Sequence, residues 1–188
     1  MQREIDIPPF LFSSDTGAPH ERCMVCNAEL LHDGFPYFIE KSVRHFPELG
    51  TSEVIFEYAI CLSCSASLNA ALSETSRQRM ASYFAEYGRF DARRQKLQDA
   101  PVNEWITHCL IKDTPIANSP EYQVVAQCSG KLLVVHDMPF AVSLEAMDEI
   151  AALLSEETLG EMDDFLGKNF TGPPELAELL LKRPPVLI

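Results

Sequence analysis

The chain has 188 residues, 46% hydrophobic and 23% charged, a composition that folds and lies far from the charge-dominated profile of disorder. Its formal net charge is −13, and only residues 73–112 carry more Lys and Arg than Asp and Glu, 7 against 5, which argues against nucleic acid as a direct partner. No run approaches the ~18 apolar residues of a membrane span, and the start, broken by Asp6, Pro8 and Pro9, does not resemble a secretory leader, so a reducing, cytoplasmic setting is expected.

Residues 1–20 hold Pro8, Pro9, Gly17 and Pro19 without sustained periodicity and read as an extended arm. Its apolar cluster, Ile7, Phe10, Leu11 and Phe12, predicts packing on its own core or on a partner subunit. Next come two Cys-x-x-Cys pairs, Cys23/Cys26 and Cys61/Cys64, which predict one structural zinc per chain. Two intervening residues let both sulfurs of a pair turn toward one ion, and two pairs complete the tetrahedron zinc prefers. The 34 residues between the pairs exceed a compact zinc ribbon and need structure of their own. An aromatic and β-branched stretch over 37–43 and strict alternation at Val54, Phe56, Tyr58 and Ile60 predict a β-hairpin that turns at Pro47 and Gly50.

After Cys64 the pattern becomes helical, with a short helix ending near Leu72. Thr75 and Gln78 fit a capping box for a longer helix over about 76–98, with Met80, Phe84, Tyr87 and Asp91 on one stripe and Arg89, Arg93 and Lys96 on another. The order knuckle, hairpin, cysteine pair at a helix start resembles the treble-clef class of zinc modules over residues 21–75. The resemblance implies that Cys61 and Cys64 sit at the first turn of a helix, and it names no activity. Where that knuckle often carries glycine, Asn27 must supply the left-handed conformation.

A third helix of about two turns is expected around Trp105, Ile106, Cys109 and Leu110. Residues 122–128 and 132–136, separated by Ser129, Gly130 and Lys131, predict a second hairpin. Ser143 with Glu145 opens a helix through Leu154, Ser155 with Thr158 opens another carrying Leu159, Met162, Phe165 and Leu166, and a short one follows over 175–182. The expected architecture is therefore α+β: an arm over 1–20, a treble-clef-like four-cysteine zinc module with a long helix over 21–112, and a C-terminal hairpin with helices over 113–188.

Four thiolates on one divalent ion leave a net charge of −2, which needs backbone N–H donors or nearby cations, Arg22, Lys41 and Arg44 being the candidates. They also close the shell, so the ion holds structure and does no hydrolysis. The histidines His20, His32, His45, His108 and His136 show no metal-ligand or triad spacing, and Cys109 and Cys128 read as buried apolar residues. The favoured reading is a non-enzymatic accessory or protein-interaction protein, an acidic protein with a protein partner or a second copy of itself. Two alternatives stay open. One is an enzyme with a site between the halves using His45, His136 or Cys128; the other is an oligomeric nucleic-acid-linked regulator that gathers the basic helix residues Arg89, Arg93, Arg94 and Lys96.

Overall fold

The computed structural model describes residues 2–46 and 48–169. Its strands are β1 (Arg3–Asp6), β2 (Pro36–Phe46), β3 (Thr51–Cys61), β4 (Glu121–Ser129), β5 (Leu132–Val135) and β6 (Phe140–Ser143). Its helices are α1 (Leu62–Ala71), α2 (Glu74–Tyr87), α3 (Phe90–Leu97), α4 (Leu144–Ala151) and α5 (Glu156–Asn169). All six strands join one sheet with antiparallel ladders, in the order β1-β5-β4-β2-β3, and β6 pairs with β4 beside β5. The chain is thus a mixed α+β protein with an antiparallel sheet.

The sheet is built outward from β2 and β4, whose register runs from Pro36 opposite Ser129 to Arg44 opposite Glu121. Tyr37 through Val43 are all buried, so both faces of β2 are covered, and polar residues there need partners. Neighbours on a strand point to opposite faces. Lys41 meets the arm, donating to the Phe12 carbonyl at 2.7 Å and pairing with Glu57 on β3 at 2.8 Å. Glu40, on the other face, accepts the Tyr58 hydroxyl at 2.6 Å. The arm lies along its own core: β1 adds to β5, while Ile7 and Leu11 are buried.

Gln123 on β4 is fully buried, and neither its amide nitrogen nor its amide oxygen has a hydrogen-bond partner among the described residues. A buried amide without partners carries its desolvation cost uncompensated, about 1–3 kcal/mol. Gln123→Leu is therefore expected to raise the thermal midpoint, gaining about 1–2 kcal/mol at nearly constant volume. A lower midpoint in calorimetry would show that the amide is engaged.

The β4–β5 turn is held from outside. Gly130 has φ +57°, its N–H donates to Phe35 O at 2.9 Å, and its carbonyl accepts the Tyr37 hydroxyl at 3.0 Å. A Cβ on Gly130 would sit 2.5 Å from the His32 carbonyl oxygen, which is backbone and has little freedom to yield. Gly130→Ala combines that clash with the left-handed penalty, so a loss of about 2–4 kcal/mol is expected in urea unfolding.

Several elements depart from the sequence expectations. The long helix over about 76–98 is two helices, because the chain breaks at Gly88, whose N–H caps Phe84 O while the Arg89 N–H leaves to Leu110 O. A side chain at Gly88 would meet the Phe90 ring at 2.8 Å, so the kink and the ring share one space. Ser73, not Thr75, caps α2: its hydroxyl accepts the Ser76 N–H at 3.2 Å. The α5 start faces it, with the Ser155 N–H donating to Ser76 Oγ at 2.9 Å and the Ser73 N–H to Thr158 Oγ1 at 3.1 Å, so each helix start helps cap the other. Around Trp105 the chain makes a 3-10 turn, Val102–Ile106, in place of a two-turn helix, and Cys109 instead bridges to Ala141. The short helix over 175–182 lies outside the described residues. No helix among the described residues is long and apolar enough to cross a membrane.

Candidate metal centre

The four cysteines come together where the first loop, β3 and α1 meet. Cys23 and Cys26 flank a tight turn closed by the Asn27 N–H to Cys23 O at 2.9 Å and the Cys23 N–H to Ala28 O at 2.9 Å. Asn27 takes φ +59°, the left-handed conformation expected of it. The turn docks on the sheet edge through the Met24 N–H to Ala59 O at 2.9 Å. Cys61 ends β3 opposite Tyr37 and is the residue before α1, whose first turn carries Cys64. Strand register and helix start therefore fix the second pair, and the Met24 bond fixes the first against it.

All four Sγ atoms lie within 4.8 Å of one another, and Cys26 Sγ to Cys61 Sγ is 3.8 Å. Sulfurs each ~2.3 Å from a tetrahedral ion stand about 3.8 Å apart, the spacing of the Cys26–Cys61 pair. Cys23 Sγ accepts the Cys61 N–H at 3.4 Å. Burial opposes ionisation of the Cys23 thiol, but backbone N–H groups of Cys26, Cys61 and Val25 outweigh it and bring it down to about 7. Burial and the neighbouring thiols push Cys61 and Cys64 up. Four packed thiols resist shared ionisation unless a cation stands among them, which is the charge situation a divalent metal resolves.

Of the three balancing cations expected, only Arg22 stays at the knuckle, reaching Asn27 O at 3.5 Å. Lys41 is taken by Glu57, and Arg44 pairs with Glu121 at 2.7 Å. The backbone donors that such a shell also needs come from Cys26, Cys61 and Val25 around Cys23.

The other singled-out residues lie elsewhere. His45 sits near the far end of β2, bonded to Ser52 Oγ at 2.7 Å and resting against the Tyr122 ring. Cys128 is opposite Tyr37, eight residues away along β2, about 26 Å at strand rise. Cys128 is fully buried, which pushes its thiol up to about 12. His45 and Cys128 therefore share no site. His136 follows β5 and contacts Asp137 at 3.2 Å and Arg94 at 3.3 Å. Cys109 is buried and accepts from the Ser143 N–H and hydroxyl, each at 3.3 Å.

The chain matches no protein-family model, no curated protein and no solved structure. Its class rests on its own geometry: an α+β protein whose four paired cysteines cluster at metal-binding distance.

Proposed function

We propose that this chain is a zinc-stapled accessory protein that acts by presenting a surface to a protein partner, with no reaction at the metal. The observation that carries the reading is the sulfur cage. Four thiolates fill a tetrahedral shell, whereas a catalytic zinc keeps one position for water. The treble-clef resemblance is supported by the order of parts: a knuckle at Cys23 and Cys26, the β2–β3 hairpin, then α1 opening with Cys61 and Cys64. In such a module the metal joins three short elements that bury little apolar area by themselves.

The interaction part is supported by two exposed apolar side chains, Val25 at 41% and Leu62 at 45%, each lying between the two cysteines of a pair. A metal-locked turn holds such side chains at low conformational entropy, which favours recognition. Elemental analysis of purified protein tests the reading directly. About one zinc per chain is expected, with four thiols shielded from alkylation until a chelator is added. A folded protein without bound metal would overturn it.

A further inference from the structure

A cleft of about 310 Å³ opens at the edge of the sheet opposite the metal cage, where β1 and the end of β5 meet α3 and the Val102–Ile106 turn. Its lining includes Arg3, Arg94, Gln95, Gln98, Trp105 and His136. Among the described residues no acidic one lines it, in a chain with 28 acidic and 15 basic residues.

The arginines set the chemistry. Arg3 donates from Nη2 to the Ala100 carbonyl at 2.6 Å, while its buried Nε has no hydrogen-bond partner among the described residues. Arg93, at 9% exposure, lies behind the lining with its guanidinium 5.5 Å from the Trp105 ring centre. Its Nη2 bonds the carbonyls of Trp105 and Pro139, and its buried Nη1 has no partner among the described residues. Among the described residues neither Arg3 nor Arg93 pairs with a carboxylate. Arg94 does, with Asp91 and with Asp137 at 3.3 Å, and Asp137 also meets His136. The Asp91 pair is open to water, Asp91 being 83% exposed, and such a pair contributes little; the Asp137 carboxylate oxygen is buried, so a ligand oxyanion would share Arg94 with it.

Two buried or half-buried guanidinium groups without a counter-ion among the described residues are costly in a protein that has carboxylates to spare. Arg3 faces a concave, partly desolvated cleft, where an oxyanion would satisfy it, and Arg93 adds its charge from behind the lining. We propose that this cleft binds a small phosphate-bearing molecule, with Arg3 and Arg94 on the phosphate and the Gln95 and Gln98 amides donating to its oxygens. The volume stands at the low end for small-molecule pockets, which fits a monophosphorylated metabolite. Arginine forks match phosphate bidentately, which favours phosphate over a single carboxylate.

The site is independent of the metal reading. It stands at the other side of the sheet, four strand spacings or about 19 Å away. Isothermal titration of the full chain at low ionic strength, with inorganic phosphate, ribose 5-phosphate and succinate in separate arms, tests the proposal. Saturable one-to-one binding of ribose 5-phosphate is expected, with succinate about tenfold weaker or more. Arg3→Gln and Arg94→Gln should each weaken binding by about tenfold or more, that is by about 1.4 kcal/mol. Gln98→Glu, on an exposed rim position, removes no contact to the fold and adds a negative charge, so it should weaken binding while the thermal midpoint and metal content stay unchanged. Absent saturation in both phosphate arms, equal binding of succinate, or binding indifferent to all three substitutions would overturn the proposal.

Discussion

A Cys61→Ser chain is expected to lose its metal and the fold of its first half together. Apparent zinc binding in small four-ligand sites is on the order of 10–16 kcal/mol near neutral pH, and that free energy is folding free energy. Whole-domain stability is typically only about 5–15 kcal/mol, so the loss exceeds what the remaining contacts can absorb. Cys61 is the sharpest place to cut. It terminates β3, precedes α1, and holds its sulfur 3.8 Å from Cys26 Sγ, so that sulfur ties strand, helix and knuckle to one point. Serine preserves the size and removes the thiolate. Zinc content, far-UV dichroism and urea unfolding should fall together, and chelation of the unaltered protein should reproduce the change. An unaltered urea midpoint in the metal-free variant would mean that packing alone holds the module.

The second large effect is expected at Glu57. Its carboxylate takes the Lys41 ammonium at 2.8 Å and both the N–H and hydroxyl of Ser14, with the two charged side chains only 10% and 12% exposed. Burial by itself would raise the carboxyl, but the Lys41 and Ser14 bonds outweigh it and hold Glu57 below the ordinary value. Glu57→Gln leaves Lys41 buried without its partner and loosens the arm, so a loss of about 2–4 kcal/mol is expected in urea unfolding at neutral pH. A folded-state value below the unfolded one contributes stability that is complete above about pH 4.3–4.5 and disappears as pH falls through the folded value. The variant should therefore show a shallower acid limb than the parent. Parallel acid limbs would place the pair's contribution near zero.

Legibility from sequence followed the range of the forces involved. The cysteine pairs were readable because two-residue spacing is local covalent geometry, and β3 was readable because Val54, Phe56, Tyr58 and Ile60 alternate. The left-handed Asn27 was anticipated for the same local reason. β1 and β6 escaped notice: each is four residues long, and Arg3–Asp6 becomes a strand only because Leu132–Val135 lies beside it. The break between α2 and α3 is hidden because one stripe continues across Gly88, while the deciding contacts, the Arg89 N–H on Leu110 O and the Phe90 ring against Phe140, are tertiary. Ser73 is not legible as the cap because half its bonds come from Ser155 and Thr158, far along the chain. The phosphate cleft was the least legible part. Arg3, Arg94 and His136 become neighbours only when β1 closes on β5.

The central pairing of β2 with β4 also sets a timetable for folding. The β2–β3 hairpin and the cysteine cage join residues close in sequence, whereas β2 meets β4 and its turn across separations of 77 residues at Arg44–Glu121 and 93 at Tyr37–Gly130. Loop closure over such spans is slow, so the hairpin with its cysteine cage can form while the rest of the sheet is still absent. During synthesis the buried run of β2 is left as a bare edge until Glu121–Ser129 has emerged, and an apolar bare edge invites pairing with other chains. A fragment ending at residue 112 would keep that edge permanently and self-associate, however well its cysteines held their ion.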